Sequence, residues 1–194
     1  LGASGVRQVV DVTGPAGWTR LRQLVSEPVS RSAARIQGPL LAALEDLPPD
    51  ARLFVEVLVR LAPDTATVRQ LSARLGIRPS TLMSRFARAG LPSPKSYLAA
   101  MRLLHAAQML EDGGLSIADV AHRLDYSSPQ SFGRHVRSLL GITSSEFRRR
   151  FPFPLALRRF IDLMIRPYAA VWAGFHPLER SGQPTTAPGA TERR

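Results

Sequence analysis

The side chains with the most specific chemistry in this chain are arginines and one glutamine. Gln130, Arg134 and Arg137 follow one another at spacings that would bring them to one face of a helix. A glutamine amide and an arginine guanidinium hold paired hydrogen-bonding groups in a fixed plane, and these match the edges of adenine and guanine respectively. Catalytic alternatives find no comparable pattern. The chain has no cysteine, which removes thiolate zinc sites, disulfides, thiol nucleophiles and iron–sulfur clusters. The four histidines, His105, His122, His135 and His176, sit in different segments and show no i, i+4 ligand spacing. His105 and His122 read as packing or surface residues; His135, beside Arg134, reads as a phosphate contact or as surface. Gly113-Gly114 stops a helix, since no GK[ST] or GxGxxG pattern follows to cradle a phosphate. Neither an enzyme nor a bound cofactor or metal is expected.

Charge points the same way. The 194 residues hold 26 Lys+Arg against 15 Asp+Glu, a formal net charge of +11, and Lys95 is the sole lysine. Residues 1–66 are neutral, residues 67–151 carry +8 and residues 152–194 carry +3. A compact basic segment beside a neutral one describes a polyanion-binding module with an attached spacer or regulatory region. Hydrophobic content of 44% is that of a globular chain rather than a disordered polycation. The most apolar C-terminal stretch, Phe151 to Leu178, is broken by Arg158, Arg159, Asp162, Arg166 and Pro167, so no membrane partner is expected. The N-terminus lacks a signal-peptide pattern, and with Leu rather than Met at position 1 a piece of a longer chain is the expectation.

The elements that position these side chains are legible from caps and periodicity. Val6–Val12 reads as a strand and Trp18–Val25 as a short helix, together the tail of an upstream α/β domain, with Ser26–Ser32 as a linker. Ala33–Leu47 and Asp50–Leu61 read as amphipathic helices parted by Pro48-Pro49. From Thr67 onward everything reads as helix. Thr67 caps a helix through Leu75 that ends at Gly76. Pro79 or Ser80 opens the next, with Leu82 and Phe86 inward. Ser93 caps a long helix, Pro94–Leu110. Ser116 caps Ile117–Leu124, Ser128 opens a helix to Leu140-Gly141, and Thr143 caps Ser144–Phe151. In the Ser128–Leu140 helix, Phe132, Val136 and either Leu139 or Leu140 are expected to face the core. Phe151–Trp172 reads as a C-terminal helix folded back on the core, and the tail from Ser181 as disordered.

The basic segment contains itself twice. Val68, Leu71, Ser72, Leu75 and Ile77 match Ile117, Val120, Ala121, Leu124 and Tyr126 at one offset. After one extra residue in the second turn, Leu82, Phe86, Ser93 and Tyr97 match Phe132, Val136, Thr143 and Phe147. Each copy is a capped helix, a tight turn and a second helix, with a small residue (Ser72, Ala121) where the two would cross. That is the helix-turn-helix pattern, whose second helix enters the major groove.

Residues 67–151 resemble the DNA-binding domain of the AraC/XylS family of bacterial transcription regulators. The stretch LSIADVAHRLDYSSPQSFGRHVRSLLGITSSEFRRRF carries most of the resemblance, through Tyr126, Ser127-Ser128, Phe132, Gly141, Thr143 and Phe147-Arg148. SPKSYLAAMRLLHAAQML is similar to the family's connecting helix, including Tyr97-Leu98 and Arg102-Leu103. Asp125 in place of the usual turn glycine, Val136 in place of an aromatic, and AGLPSPKSY at the close of the first unit depart from the pattern.

The resemblance implies an all-α fold of two helix-turn-helix units joined by a long helix, with further helices on either side. It also implies base contacts at Pro129, Gln130, Gly133 and Arg134 in the second unit and at Ser80, Met83 and Ser84 in the first. Spacing independently turns Gln130, Ser131, Gly133, Arg134 and Arg137 outward, and likewise Ser80, Thr81, Met83, Ser84, Arg85 and Arg88. Arg78, Arg85, Arg88, Ser131 and Arg137 are expected on phosphates, and Gly133 is expected to let the helix approach the groove floor. Double-stranded DNA is the expected partner, with RNA polymerase, an upstream sensor domain or a second copy of the chain as further ones. The setting implied is the bacterial cytoplasm, at the nucleoid. The lack of cysteine excludes the thiol methyl-acceptor chemistry that some DNA-repair proteins join to this type of domain. A non-specific architectural DNA-binding protein and a helical protein-interaction module are the other readings; in the second, Ala33–Leu61 would dock a partner.

Overall fold

The computed structural model describes residues 31–111 and 114–179. The strand and helix expected before residue 31, the tail from Ser181 and Gly113 lie outside the described residues. Within them every regular element is helical, and no helix is long and apolar enough to cross a membrane.

Two support helices come first. In α1 (Arg31–Ala42), Ala33, Ile36 and Leu40 are buried at helical spacing. The helix stops at Ala42 rather than running to Leu47 as the periodicity predicts. Pro48 is extended (φ −55°, ψ 150°) and Pro49 opens α2 (Pro49–Leu61), so residues 43–48 are consumed in reversing the chain to lay α2 against α1. Leu44 still reaches the core from this turn. The reading of Ser26–Ser32 as linker is corrected at its end, because Arg31 and Ser32 are already helical.

Two copies of one unit follow. The first is α3 (Val68–Leu75) and α4 (Pro79–Arg88), the second α6 (Ile117–Arg123) and α7 (Pro129–Leu140); α5 (Pro94–Glu111) joins them and α8 (Ser144–Arg150) closes the second. Reciprocal capping boxes start α3 (Thr67 with Gln70), α6 (Ser116 with Asp119) and α8 (Thr143 with Glu146). The two turns close identically. Ile77 N–H donates to Ser72 O at 3.0 Å, and Tyr126 N–H donates to Ala121 O at 2.9 Å. The left-handed residue is Gly76 (φ 63°) in the first turn and Asp125 (φ 56°) in the second, so Asp125 adopts the conformation of the glycine it replaces. Repeat-matched positions share their burial: Leu71 and Val120, Ser72 and Ala121, Leu75 and Leu124, Leu82 and Phe132, Phe86 and Val136, Tyr97 and Phe147. One expectation fails. Leu139 and Leu140 are 41% and 38% exposed, because the last turn of α7 runs past the elements that cover Phe132 and Val136.

The chain after α8 folds back on α5, but not as one helix. Pro152 precedes α9 (Phe153–Phe160), which widens into a π-helical turn (Ile161–Ile165), tightens at Arg166–Tyr168 and resumes as α10 (Ala169–Ala173). Pro167 lacks the N–H that a continuous helix needs there. This extension completes the core of the first unit. Trp172 is 1% exposed and lies within ring-contact distance of Phe54, Phe86, Tyr97 and Phe175. Its indole N–H reaches the Tyr97 hydroxyl at 3.3 Å, and that hydroxyl donates to Met164 O at 2.9 Å. Satisfied polar tips and tilted or edge-on rings are how large aromatics pack favourably. Trp172→Ala should therefore destabilise the protein by about 3–5 kcal/mol, as measured by urea denaturation; a loss under about 1 kcal/mol would mean the extension is not part of the core.

Candidate nucleic-acid interface

The two second helices of the repeat, α4 and α7, are positioned by few, well-defined contacts. Each begins with proline, Pro79 or Pro129, whose fixed φ suits the first helical position. Ser128 caps α7 by accepting from Ser131 N–H at 3.1 Å, whereas Arg78 gives α4 no side-chain cap. With Phe132 and Val136 buried beneath α7, Gln130, Arg134 and Arg137 are exposed, and Ser131 and Gly133 half-buried. With Leu82 and Phe86 buried beneath α4, Ser80, Ser84 and Arg88 are exposed, as is Arg78 at its cap, and Met83 is 40% exposed.

The polar groups on α7 are linked. Ser131 Oγ accepts from the Arg134 guanidinium at 2.9 Å and lies 2.8 Å from Ser127 Oγ. Arg134 is thus held along the outer face of α7 by a residue one turn earlier, which limits the rotamers it must lose on engaging a ligand. A methyl group at Gly133 would stand 3.9 Å from Ser144 Oγ, so packing does not require glycine there. On α4 the arrangement differs. Arg85 donates to Pro177 O at 2.7 Å and to Glu179 O, so the end of the C-terminal extension is tied to the first unit. Asp50 fastens the same segment to α2, through His176 at 2.9 Å and Leu178 N–H at 3.1 Å.

Comparison with known proteins agrees with this geometry. Residues 71–150 match the family described as a helix-turn-helix domain. Residues 71–150 form an AraC-type helix-turn-helix domain. A lactose operon transcription activator of Staphylococcus xylosus is 31% identical over 85 residues, covering 44% of this chain and 30% of that protein. A putative AraC-like transcription regulator of Streptomyces lividans is 28% identical over 88 residues, covering 45% and 29%. Histidine kinase P4 of Formosa agariphila is 24% identical over 100 residues, covering 52% and 7%. The chain therefore spans less than a third of the length of these relatives. No solved structure matches it significantly.

Sequence reasoning noticed Arg102 only as part of the AraC-type connecting helix; the structure makes it the clamp of the domain. Its side chain, on α5, is 3% exposed. One guanidinium nitrogen donates to Ala62 O, Pro63 O and Thr65 O at 3.1, 3.2 and 2.9 Å, just before α3. The other donates to Leu124 O, at the end of α6. Nε reaches the Tyr126 hydroxyl at 3.3 Å, and the cation lies 4.5 Å from the Tyr126 ring centroid. A single cation thus fastens the approach to the first unit to the turn of the second.

Tyr126 passes this network to α7, because its hydroxyl is hydrogen-bonded to His135 Nδ1. Burial, helped by the Arg102 charge, lowers the His135 pKa to about 4, so the ring is neutral. His135 is therefore part of the internal network, placed by its burial against Tyr126. His105, which had read as packing or surface, is packed: it is 2% exposed with Nε2 2.8 Å from Val59 O, and burial lowers its pKa. His122 is exposed. Among the described residues no group of His, Asp and Glu is arranged to hold a metal ion.

Two outcomes follow. Arg102→Met removes a donor from four carbonyls, of which Ala62 O keeps Thr65 N–H at 3.4 Å, and should destabilise the domain by about 3 kcal/mol or more, read from urea denaturation, with Arg102→Lys recovering only part; a change below about 1 kcal/mol would contradict the clamp. His135 binds its proton more weakly folded (about 4) than unfolded (about 6.5). Its contribution is then complete above the unfolded value and lost as pH falls toward the folded one. The melting temperature should decline between those limits, and His135→Gln should flatten the decline. An unchanged slope would place the acid sensitivity elsewhere.

Proposed function

We propose that the AraC-type domain binds double-stranded DNA in a sequence-specific way and regulates transcription, with α4 and α7 entering successive major grooves about 34 Å apart on one face of the duplex. The observation that carries this reading is the pair of equivalent second helices, each exposing a polar face, on two units that the buried Arg102 fastens together. In this reading α7 specifies and α4 anchors. Gln130 reads adenine, Arg134 reads guanine, and Gly133 permits close approach. Met83 meets a thymine methyl, while Ser80 and Ser84 make short, adaptable hydrogen bonds. Arg78, Arg88, Ser131 and Arg137 take phosphates and supply salt-sensitive affinity; Arg85 would have to leave the Pro177 and Glu179 carbonyls to join them. A rigid pair of heads on a straight duplex favours some DNA bending. RNA polymerase and a sensing or dimerising unit are the further partners of such a regulator, which would act in the bacterial cytoplasm.

Selection of bound duplexes from a random pool tests the reading, because it yields site length, symmetry and sequence together. A preferred site bound ~10³-fold or more above random duplex at physiological salt is expected; a flat preference would favour the architectural alternative. Against that site, Arg134→Ala should cost roughly 1–3 kcal/mol and relax preference at one base pair. Equal weakening on every sequence would make Arg134 a phosphate contact instead.

A further inference from the structure

The charge beyond the two second helices is concentrated in Arg148, Arg149 and Arg150 at the end of α8 and in Arg158 and Arg159 on α9, all exposed. Among the described residues none of the five forms an ion pair, the nearby Asp162 being held by Arg166 at 2.5 Å. They are not equivalent. Glu146, whose pKa is lowered first by its hydrogen bonds with Thr143, also feels Arg150 and Arg149, so those two charges are partly compensated. Arg158 lines a groove with Arg35 and Pro39 of α1 to which α7 contributes no residue.

Arg148 and Arg159 lie elsewhere. The half-buried Gly133, at the edge of the exposed face of α7, packs toward Ser144, the first residue of α8, whose Oγ would lie 3.9 Å from a methyl group there. Ser144 and Arg148 lie one turn apart on the same side of α8, and Phe151 follows as the residue that ends the helix. This row continues onto α9, because the Arg159 guanidinium lies 5.6 Å from the Phe151 ring centroid. Phe151 itself stacks on the buried Phe147 at 5.9 Å.

We infer that Arg148 and Arg159 form a phosphate-binding stripe that extends the duplex footprint outward from the groove entered by α7. The inference rests on the DNA-binding reading above and adds to it a contact surface partly outside the helix-turn-helix domain. Two exposed cations in line with the α7 face, without carboxylate partners, suit a phosphate backbone.

The test is titration of the full chain against its selected site at salt from 50 to 200 mM, on duplexes ending at the α7 half-site or about five base pairs beyond it. The slope of log K against log salt should fall by roughly 0.9 for each arginine removed in Arg148→Ala/Arg159→Ala. Arg158→Ala should leave the slope at the wild-type value. The longer flank should strengthen wild-type binding and not that of the double variant. Arg148→Lys/Arg159→Lys, which keeps the charge, should retain the slope and so separate charge loss from damage to the fold. Wild-type binding with an unchanged slope in the double alanine variant overturns this inference alone and leaves the stripe to another partner. Failure of the wild-type chain to bind any duplex overturns the underlying reading as well.

Discussion

A buried guanidinium, without a carboxylate partner among the described residues, ties the two units of this molecule together. Burying a cation is expensive unless its donors find acceptors, and all three nitrogens of the Arg102 guanidinium do so, mostly on backbone carbonyls drawn from two places far apart in sequence. Carbonyl oxygens cannot swing away as side chains can, so the interaction fixes backbone to backbone. The peptide groups before α3 and at the end of α6 are brought to one point on α5. The α6–α7 turn is then secured a second time through the Tyr126 ring and its hydrogen bond to His135 on α7. These polar contacts therefore join the approach to the first unit to the root of α7, on the side away from the exposed Gln130 and Arg134.

The repeat is symmetric in backbone and asymmetric in support. The second unit is closed by the short helix α8, with Phe147 at its core. The first is closed by α5 and by a long extension that returns Trp172 and Phe175 to Phe86. The extension also ties Arg85 of α4 to its own carbonyls. The exposed side chains follow the same division: α7 carries an oriented Arg134 and an exposed Gln130, while α4 offers short serines, one exposed methionine, and an arginine engaged by the protein itself.

Much of this was legible in the sequence because it is local. Caps such as Thr67, Ser116 and Thr143 act within one helical turn, and the repeat showed itself because Leu71, Leu82 and Phe86 must be buried at the same spacings as their counterparts. The early end of α1 was hidden because it depends on where α2 must lie. Leu139 and Leu140 misled because periodicity assigns a face without knowing how far the covering elements reach. Arg102 and His135 were hardest to read: a polar residue on a basic helix gives no local sign that distant carbonyls will surround it. Of the interface, the outward positions were readable from their buried neighbours, but the Ser131–Arg134 bond, the Arg85 tie and the stripe from Ser144 to Arg159 required coordinates.

By tying the approach to the first unit to the turn of the second, Arg102 keeps α4 and α7 at a fixed separation. The absence of native cysteine allows spin labels to be placed cleanly at Ser84→Cys on α4 and Ser138→Cys on α7, and pulsed dipolar spectroscopy reads the distribution of distances between them. A single narrow distribution is predicted for the otherwise wild-type chain, broadening when Arg102 is replaced by methionine under conditions where the chain remains helical. A broad distribution with Arg102 in place, or one that the replacement leaves unchanged, would contradict the account.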